Sequence, residues 1–318
     1  MTTRRSFIKR AAVGTLAVGL APALVTANNG KVSKNPKRSL RIAHITDVHI
    51  IDKPHAEACF ERVVKELNSL KDKPDLIINT GDSVMDENKQ TRETVEEHWK
   101  VWNKVISRVN KIPMRSAIGN HDVWYGPDEK LDAEYKKDKR YGKQWAIDML
   151  GLPNRYYSFE KNGWKFIALD SINGNVGYSL DEEQFSWLEK ELDNASEGQP
   201  VLVFSHVPLL SACATMYLIE REEAVATKYP VGDQHTDTKR VKTLFHKNKK
   251  VKLCLSGHVH YIDAVEYLGV KYLCNGAISG NWWGNPLALD EFPPVYTLID
   301  LFDDGTSDHQ HIYYNTQI

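Results

Sequence analysis

The chain is poor in the features that would sort it at a glance. Its 318 residues hold four cysteines (Cys59, Cys213, Cys254 and Cys274) with no CxxC spacing, which excludes a thiolate-rich zinc module and a disulfide-dense scaffold. Cys254 and Cys274 fall in neighbouring expected strands, so a disulfide between them is one option in an oxidising compartment. Buried free thiols are the favoured reading. No basic block recurs beyond the first ten residues and the formal net charge is −1, so no groove for a nucleic-acid duplex is expected. No apolar run reaches the roughly 20 residues of a comfortable membrane helix, and neither an internal repeat nor a low-complexity segment is present. What remains is the composition of an ordinary globular protein, 42% hydrophobic and 26% charged.

The N-terminus is the exception to this plainness. Thr3-Arg4-Arg5-Ser6-Phe7-Ile8-Lys9 precedes an apolar stretch from Ala11 to Val25, which ends on small residues at Val25-Thr26-Ala27. A charged head, a short apolar middle and a small-residue exit describe an export signal. The paired arginines resemble the twin-arginine type, which carries already folded proteins. The expectation is a signal over residues 1–27, handled by the twin-arginine export machinery, with no stable membrane span once it is cleaved. An uncleaved anchor is the alternative. Removal at Ala27 takes four basic residues and no acidic one with it, leaving a mildly acidic chain. Such a signal implies the periplasm or cell envelope of a bacterium. Residues 28–39 read as a polar linker, and 40–318 as a single domain.

From Leu40 onward, short apolar β-runs alternate with amphipathic helices. Strands are expected at Leu40–Thr46, Leu76–Asn79 and Met114–Ile118, separated by helices at His55–Leu70 and around Val95–Val109. A hairpin turning on Asn162-Gly163 joins Tyr156–Phe159 to Lys165–Leu169. A helix at Asp181–Leu192, capped by Asp181 or Ser179, leads to the apolar strand Val201–Phe204. Lys239–His246 reads as a short helix and Val251–Leu255 as a strand, after which strands dominate to the C-terminus. Two stretches break the rhythm. Residues 124–152 read as an inserted flap, and 209–235 as a second irregular insertion. Alternating elements followed by a run of strands predict an α/β fold, a four-layer αββα sandwich of two mixed β-sheets flanked by helices.

Five short blocks punctuate this pattern in one order: Asp47-Val48-His49, Gly81-Asp82, Gly119-Asn120-His121-Asp122, His206 and Gly257-His258-Val259-His260. Each follows an expected strand, and loops at the C-terminal ends of strands are where ligand sites of α/β sheets converge. Glycine precedes three of the blocks. A residue that tolerates positive φ would let the chain turn sharply and aim the next side chain into a cleft. Imidazole combined with carboxylate and amide oxygens suits Zn²⁺, Mn²⁺, Fe or Ni²⁺, and the lack of cysteine in the blocks argues against a thiolate site. A carboxylate such as Asp82 can bridge two cations about 3.5–4 Å apart, the spacing of two-metal hydrolysis.

This constellation resembles the calcineurin-like metallophosphoesterase superfamily, and the resemblance covers roughly residues 40 to 305. It implies a centre of two divalent or mixed-valence metal ions (Mn, Fe, Zn or Ni). Asp47, His49 and His260 would bind one ion, Asn120, His206 and His258 the other, and Asp82 would bridge them. His121 would contact the phosphoryl group or protonate the leaving oxygen, oriented by a nearby carboxylate such as Asp122. The implied activity is cleavage of a small phosphoester substrate by a hydroxide bridging the ions and attacking phosphorus. Met85 stands three positions after Asp82, where purple acid phosphatases carry a tyrosine, which excludes a tyrosinate-bound ferric site. The ungapped pattern also resembles class III cyclic-nucleotide phosphodiesterases. The reading is an exported phosphodiesterase. The alternatives are a phosphomonoesterase of the same superfamily or a non-catalytic metal-binding protein on this fold.

Other residues invite a functional reading with a bland one beside it. His44 reads as a packed sheet residue, His235 as a surface turn or helix cap rather than a lid residue, and His309 and His311 as exposed. Asp170 and Ser171 end a strand near the blocks. Trp282 and Trp283, on a glycine-rich loop, and Trp124 and Tyr125, after the His121 block, either wall a substrate pocket or pack in the core.

Overall fold

Alternate side chains along each strand face opposite ways, and here the two faces of every central strand are apolar. Leu40 and Ile42 of β1 (Arg38–Ile45) join one buried cluster, while Ala43 and Ile45 join another. Leu202 and Phe204 of β6 (Val201–Phe204) divide from Val201 and Val203 in the same manner. A strand with two apolar faces must be covered on both, and the result is four layers.

A computed structural model describes residues 35–128, 132–173, 177–215, 232–284 and 292–316. The expected export signal, most of the linker and the middle of the 209–235 insertion lie outside the described residues. Among the described residues no helix is long and apolar enough to cross a membrane.

One sheet runs β11 (Ser307–Tyr313), β10 (Val295–Phe302), β1, β2 (Leu76–Asn79), β3 (Met114–Ser116). Its β1, β2 and β3 are parallel, while β10 is antiparallel to β1. The other runs β4 (Tyr157–Lys161), β5 (Trp164–Ala168), β6, β7 (Val251–Ser256), β9 (Val270–Asn275), β8 (Ile262–Tyr267). Its four central strands are parallel and its two edges antiparallel. Leu40, Ile42, Leu76, Ile78, Phe166, Phe204, Leu253 and Leu273 fill the space between the sheets. Helices Pro54–Ser69 and Arg92–Val109 cover the outer face of the first sheet through Phe60, Val63, Trp99 and Val105. Helices Glu182–Asn194 and Thr238–Asn248 cover the second through Phe185, Leu188, Val241 and Phe245. Asp181 caps its helix as expected, its carboxylate accepting from the Gln184 N–H at 2.9 Å.

The αββα sandwich is therefore present with the expected element order. The 124–152 stretch differs from the expectation of a flap. Its Trp124 and Trp145 are buried, ring against ring at 5.1 Å, so two large apolar side chains tie the segment into the first core. All four cysteines are free; Cys59, Cys254 and Cys274 are buried and Cys213 half-buried. His44 lies inside the first strand as a packed residue, held between Thr80 Oγ1 at 2.9 Å and Asn275 Nδ2 at 2.6 Å. Burial pushes it down to about 3, which keeps it neutral.

Candidate metal centre

All five blocks begin within a few residues of the C-terminal ends of parallel strands: β1, β2 and β3 in one sheet, β6 and β7 in the other. Backbone hydrogen bonds join the loops to each other. Asp47 N–H donates to Gly81 O at 3.0 Å, His49 N–H to Asp82 O at 2.9 Å, and Gly257 N–H to His206 O at 3.0 Å. The side chains then converge into two buried groups. Asp47, His49 and His260 form one, and Asp82, His206 and His258 the other, each with its ligand atoms within 4.8 Å of one another. Asn120 joins the second through Oδ1, 3.0 Å from His206 Nε2.

The glycines do something other than the sequence suggests. Of the three that precede blocks, Gly81 alone has a positive φ, at 107°. The left-handed backbone falls on the candidate ligands themselves: Asp47, His49, Asp82, His258 and His260 have φ between 45° and 71°. Residues with side chains avoid this region, at a cost of order 1–3 kcal/mol each, unless their surroundings over-determine it. Gly119 and Gly257 serve close approach instead. A Cβ on Gly119 would stand 2.1 Å from both the amide nitrogen and Oδ1 of Asp82, and one on Gly257 2.1 Å from Asp47 Oδ2. Gly119→Ala is therefore expected to lower unfolding free energy by about 1–3 kcal/mol or more and to displace Asp82. Urea melts read together with bound-metal content would show it, and a variant with wild-type values for both would refute it.

Carbonyl partners fix the imidazole tautomers. His49 Nδ1 donates to Met85 O at 3.0 Å, His260 Nδ1 to Gly280 O at 2.7 Å, His206 Nδ1 to Thr80 O at 3.0 Å and His258 Nε2 to Gly232 O at 2.6 Å. A carbonyl oxygen can only accept, so each of these nitrogens carries a proton, and in the neutral ring the other presents its lone pair inward. The inward atoms face one another. His49 Nε2 lies 3.1 Å from His260 Nε2, Asp47 Oδ1 3.4 Å from His260 Nε2, and His258 Nδ1 3.2 Å from His206 Nε2. Asp82 Oδ2 is 3.2 Å from His206 Nε2 and 3.6 Å from His49 Nε2, between the two groups. Facing lone pairs repel, and a cation relieves them. Ligands held at about 2.1 Å from one ion stand roughly 3.0–3.4 Å apart, so the donors fit metal ions by spacing as well as by type.

Titration of the protein groups agrees. Burial takes His49 down to about 4, and burial with the His206 charge does the same to His258. Burial opposes the charge on His206, but the Asp82 carboxylate outweighs it and lifts His206 to about 9. Burial would likewise raise Asp47, yet His260 holds it below the usual carboxylate range. One proton on His206 thus does part of what two cations would do.

His121 is separate from both groups. Its backbone N–H donates to Asp82 Oδ1 at 2.8 Å, and its half-buried ring stands edge-on to His49 with centroids 5.0 Å apart. Nδ1 is 3.2 Å from Asp86 Oδ1. Burial works against its charge, but Asp82 and Asp86 overcome burial and raise it to about 9. This corrects the expectation for Asp122. That carboxylate turns away and accepts backbone N–H groups from Gly119 at 2.9 Å, Ser83 at 2.8 Å and Val84 at 3.3 Å, bracing the loop. Asp86, from the loop after Asp82, is the carboxylate beside His121. A second correction concerns His235, which is fully buried rather than on a surface turn. It is clamped between Ser171 Oγ at 2.8 Å and Asp237 Oδ1 at 3.0 Å. Asp170 is buried against Lys143 and Arg155, and His309 and His311 are half-buried rather than exposed.

Two buried Asp/His groups at the mouth of a four-layer sandwich, with Asp82 Oδ2 lying between them, together with the family match define the class: a metal-dependent hydrolase of phosphoesters. The chain belongs to the calcineurin-like phosphoesterase family, whose model matches residues 40–261. It is similar to a 3',5'-cyclic-nucleotide phosphodiesterase of Nostoc sp., 25% identical over 86% of this chain and 91% of that protein. A 3',5'-cyclic adenosine monophosphate phosphodiesterase of Escherichia coli K12 is 24% identical over 84% of this chain and 87% of its own length. Among solved structures, a dimetal phosphatase from Danio rerio shares the fold at a TM-score of 0.55 and 13% identity, over 88% of this chain and 100% of that one.

Proposed function

We propose that the chain is a phosphodiesterase acting on 3',5'-cyclic nucleotides at two metal ions. The observation that carries this reading is the likeness, along nearly the full length of both chains, to cyclic-nucleotide phosphodiesterases, joined to an intact His121 that metal binding alone does not require. Asp47, His49 and His260 would hold one ion and Asn120, His206 and His258 the other. Asp82, whose Oδ2 lies 3.2 Å from His206 Nε2 and 3.6 Å from His49 Nε2, would serve both. The ions, when bound, neutralise phosphate oxygens and make water a stronger nucleophile near neutral pH. The mixed nitrogen and oxygen donors suit Mn, Fe, Zn or Ni.

The remaining chemistry belongs to the chain. His121, whose imidazole pKa Asp82 and Asp86 raise against burial in the metal-free chain, is the group that would deliver a proton to the departing ester oxygen. Asp86 Oδ1 lies 3.2 Å from Nδ1 and Asp82 Oδ2 lies 4.0 Å from Nε2, so a carboxylate faces each nitrogen of the ring. Carbonyls of Met85, Gly280, Thr80 and Gly232 hold the other imidazoles in register, so no side chain must reorganise as charge develops.

The test sets cyclic AMP, bis-p-nitrophenyl phosphate and p-nitrophenyl phosphate side by side on the metal-loaded protein. Cyclic AMP and the synthetic diester are expected to turn over, with the monoester slower. Preference for the monoester would make the protein a phosphatase and sink the reading.

A further inference from the structure

We propose that Trp282 is the surface on which the base of the bound cyclic nucleotide stacks, and so a specificity-determining residue of the site. The inference rests on the cyclic-nucleotide reading above.

The loop after β9 carries Trp282 and Trp283 side by side, both on left-handed backbone with φ of 44° and 60°. Two consecutive aromatic residues in that region are strained, and such strain persists where neighbours hold it and tends to cluster at ligand clamps. The neighbours are explicit. Ile278 N–H donates to Thr46 O at 2.9 Å, and Ser279 donates to Asp47 O from its N–H at 3.1 Å and from its hydroxyl at 2.8 Å. Gly280 O accepts a hydrogen bond from Nδ1 of the candidate ligand His260. The loop is thus fastened to the first ligand block on one side and to His260 on the other.

The two tryptophans divide the work. Trp283 is a fastener: its indole N–H is shared between Val48 O and His49 O, both at 3.0 Å. Trp282 makes the opposite choice. It lies against His260, ring centroids 4.3 Å apart and tilted by 34°, and 5.7 Å from His49, yet 42% of it stays exposed. The exposed part of the indole lies beside two candidate ligand histidines, where a planar ligand group can meet it. Phe292 extends the apolar wall, 6.5 Å from Trp282 and 4.7 Å from Tyr261. A phosphodiester held over His49 and His260 therefore has an indole beside one of its substituents. A purine matches an indole in shape and stacks on it without needing directional hydrogen bonds.

The experiment compares the wild-type chain with Trp282→Asn and Trp282→Phe. Asparagine tolerates left-handed backbone, so the first variant removes the ring without adding strain, and the second restores a ring. The measurements are KM and kcat for cyclic AMP, inhibition of bis-p-nitrophenyl phosphate hydrolysis by AMP and by inorganic phosphate, and calorimetric binding of a non-hydrolysable phosphorothioate analogue of cyclic AMP. In Trp282→Asn, AMP and the analogue are expected to bind roughly 5- to 150-fold more weakly relative to inorganic phosphate. The cyclic AMP defect should sit in KM rather than kcat, and Trp282→Phe should recover most of it. Equal weakening of AMP and phosphate would make Trp282 a loop prop and overturn the inference, as would an unchanged KM in a protein that does cleave cyclic AMP. A wild-type chain that cleaves the synthetic diester but neither cleaves nor binds cyclic nucleotides would overturn the cyclic-nucleotide reading and the stacking surface with it.

Discussion

Replacing Asp82 with asparagine is expected to remove at least about 10³-fold of the diesterase activity, a loss at or beyond the top of what a single electrostatic partner supplies to a transition state. The two carboxylate oxygens have different tasks. Oδ2 stands between His206 and His49, where it would serve both ions. Oδ1 accepts the backbone N–H of His121 at 2.8 Å. Asparagine preserves the shape and one acceptor but removes the charge, and it must aim an amide N–H either at cations or at the His121 N–H. Both orientations are unfavourable. Metal content should fall below two ions per chain, which gives a readout independent of turnover. A variant that kept two ions and activity within tenfold of wild type would remove Asp82 from the bridging position.

His121→Ala is expected to keep both ions and lose about 10²–10⁴-fold in kcat on cyclic AMP, the usual contribution of a general acid. The loss should depend on the leaving group. The ribose oxygen of a cyclic nucleotide leaves poorly without a proton, whereas p-nitrophenolate leaves readily as an anion. The same variant should therefore lose much less on bis-p-nitrophenyl phosphate. Asp86→Asn, which leaves the imidazole but weakens its orientation and charge, should fall between wild type and His121→Ala. Equal losses on both substrates would indicate that His121 only binds the phosphoryl group.

Much of this was legible because the blocks sit where sequence patterns are strongest. Val201–Phe204 and Leu76–Ile78 are unbroken apolar runs, and the strands Val201–Phe204 and Leu76–Asn79 form on them. The ligands then follow within a few residues, so locating the strands also located the ligands. The carbonyls that set the tautomers were not legible, since every residue offers a carbonyl and Met85, Thr80, Gly232 and Gly280 share no sequence motif. Asp122 and Asp86 show a different limit. Adjacency to His121 suggested Asp122, but neighbours in a tight turn point apart, and the carboxylate that meets the ring comes from another loop. A signal existed in Asp86 itself, four residues after Asp82 and so on the same rim. His235 was misread because its partners, Ser171 and Asp237, matter only once β5 and the Thr238–Asn248 helix are brought together.

The ligand groups have one further property, visible in where their members originate. Asp47 and His49 come from the five-stranded sheet and His260 from the six-stranded one. Asp82 and Asn120 face His206 and His258 across the same divide. Each ion would therefore cross-link the two halves of the sandwich at one end, while apolar packing and hydrogen bonds such as Asn162 Nδ2 to Ser39 O and Trp164 Nε1 to Phe302 O hold the other. A ligand bound only by the folded state adds about 2.7 kcal/mol when its free concentration is a hundred times its Kd. The firmness of that end of the molecule then follows the supply of metal in its surroundings, and scarcity would loosen the mouth of the sandwich before it touched the base.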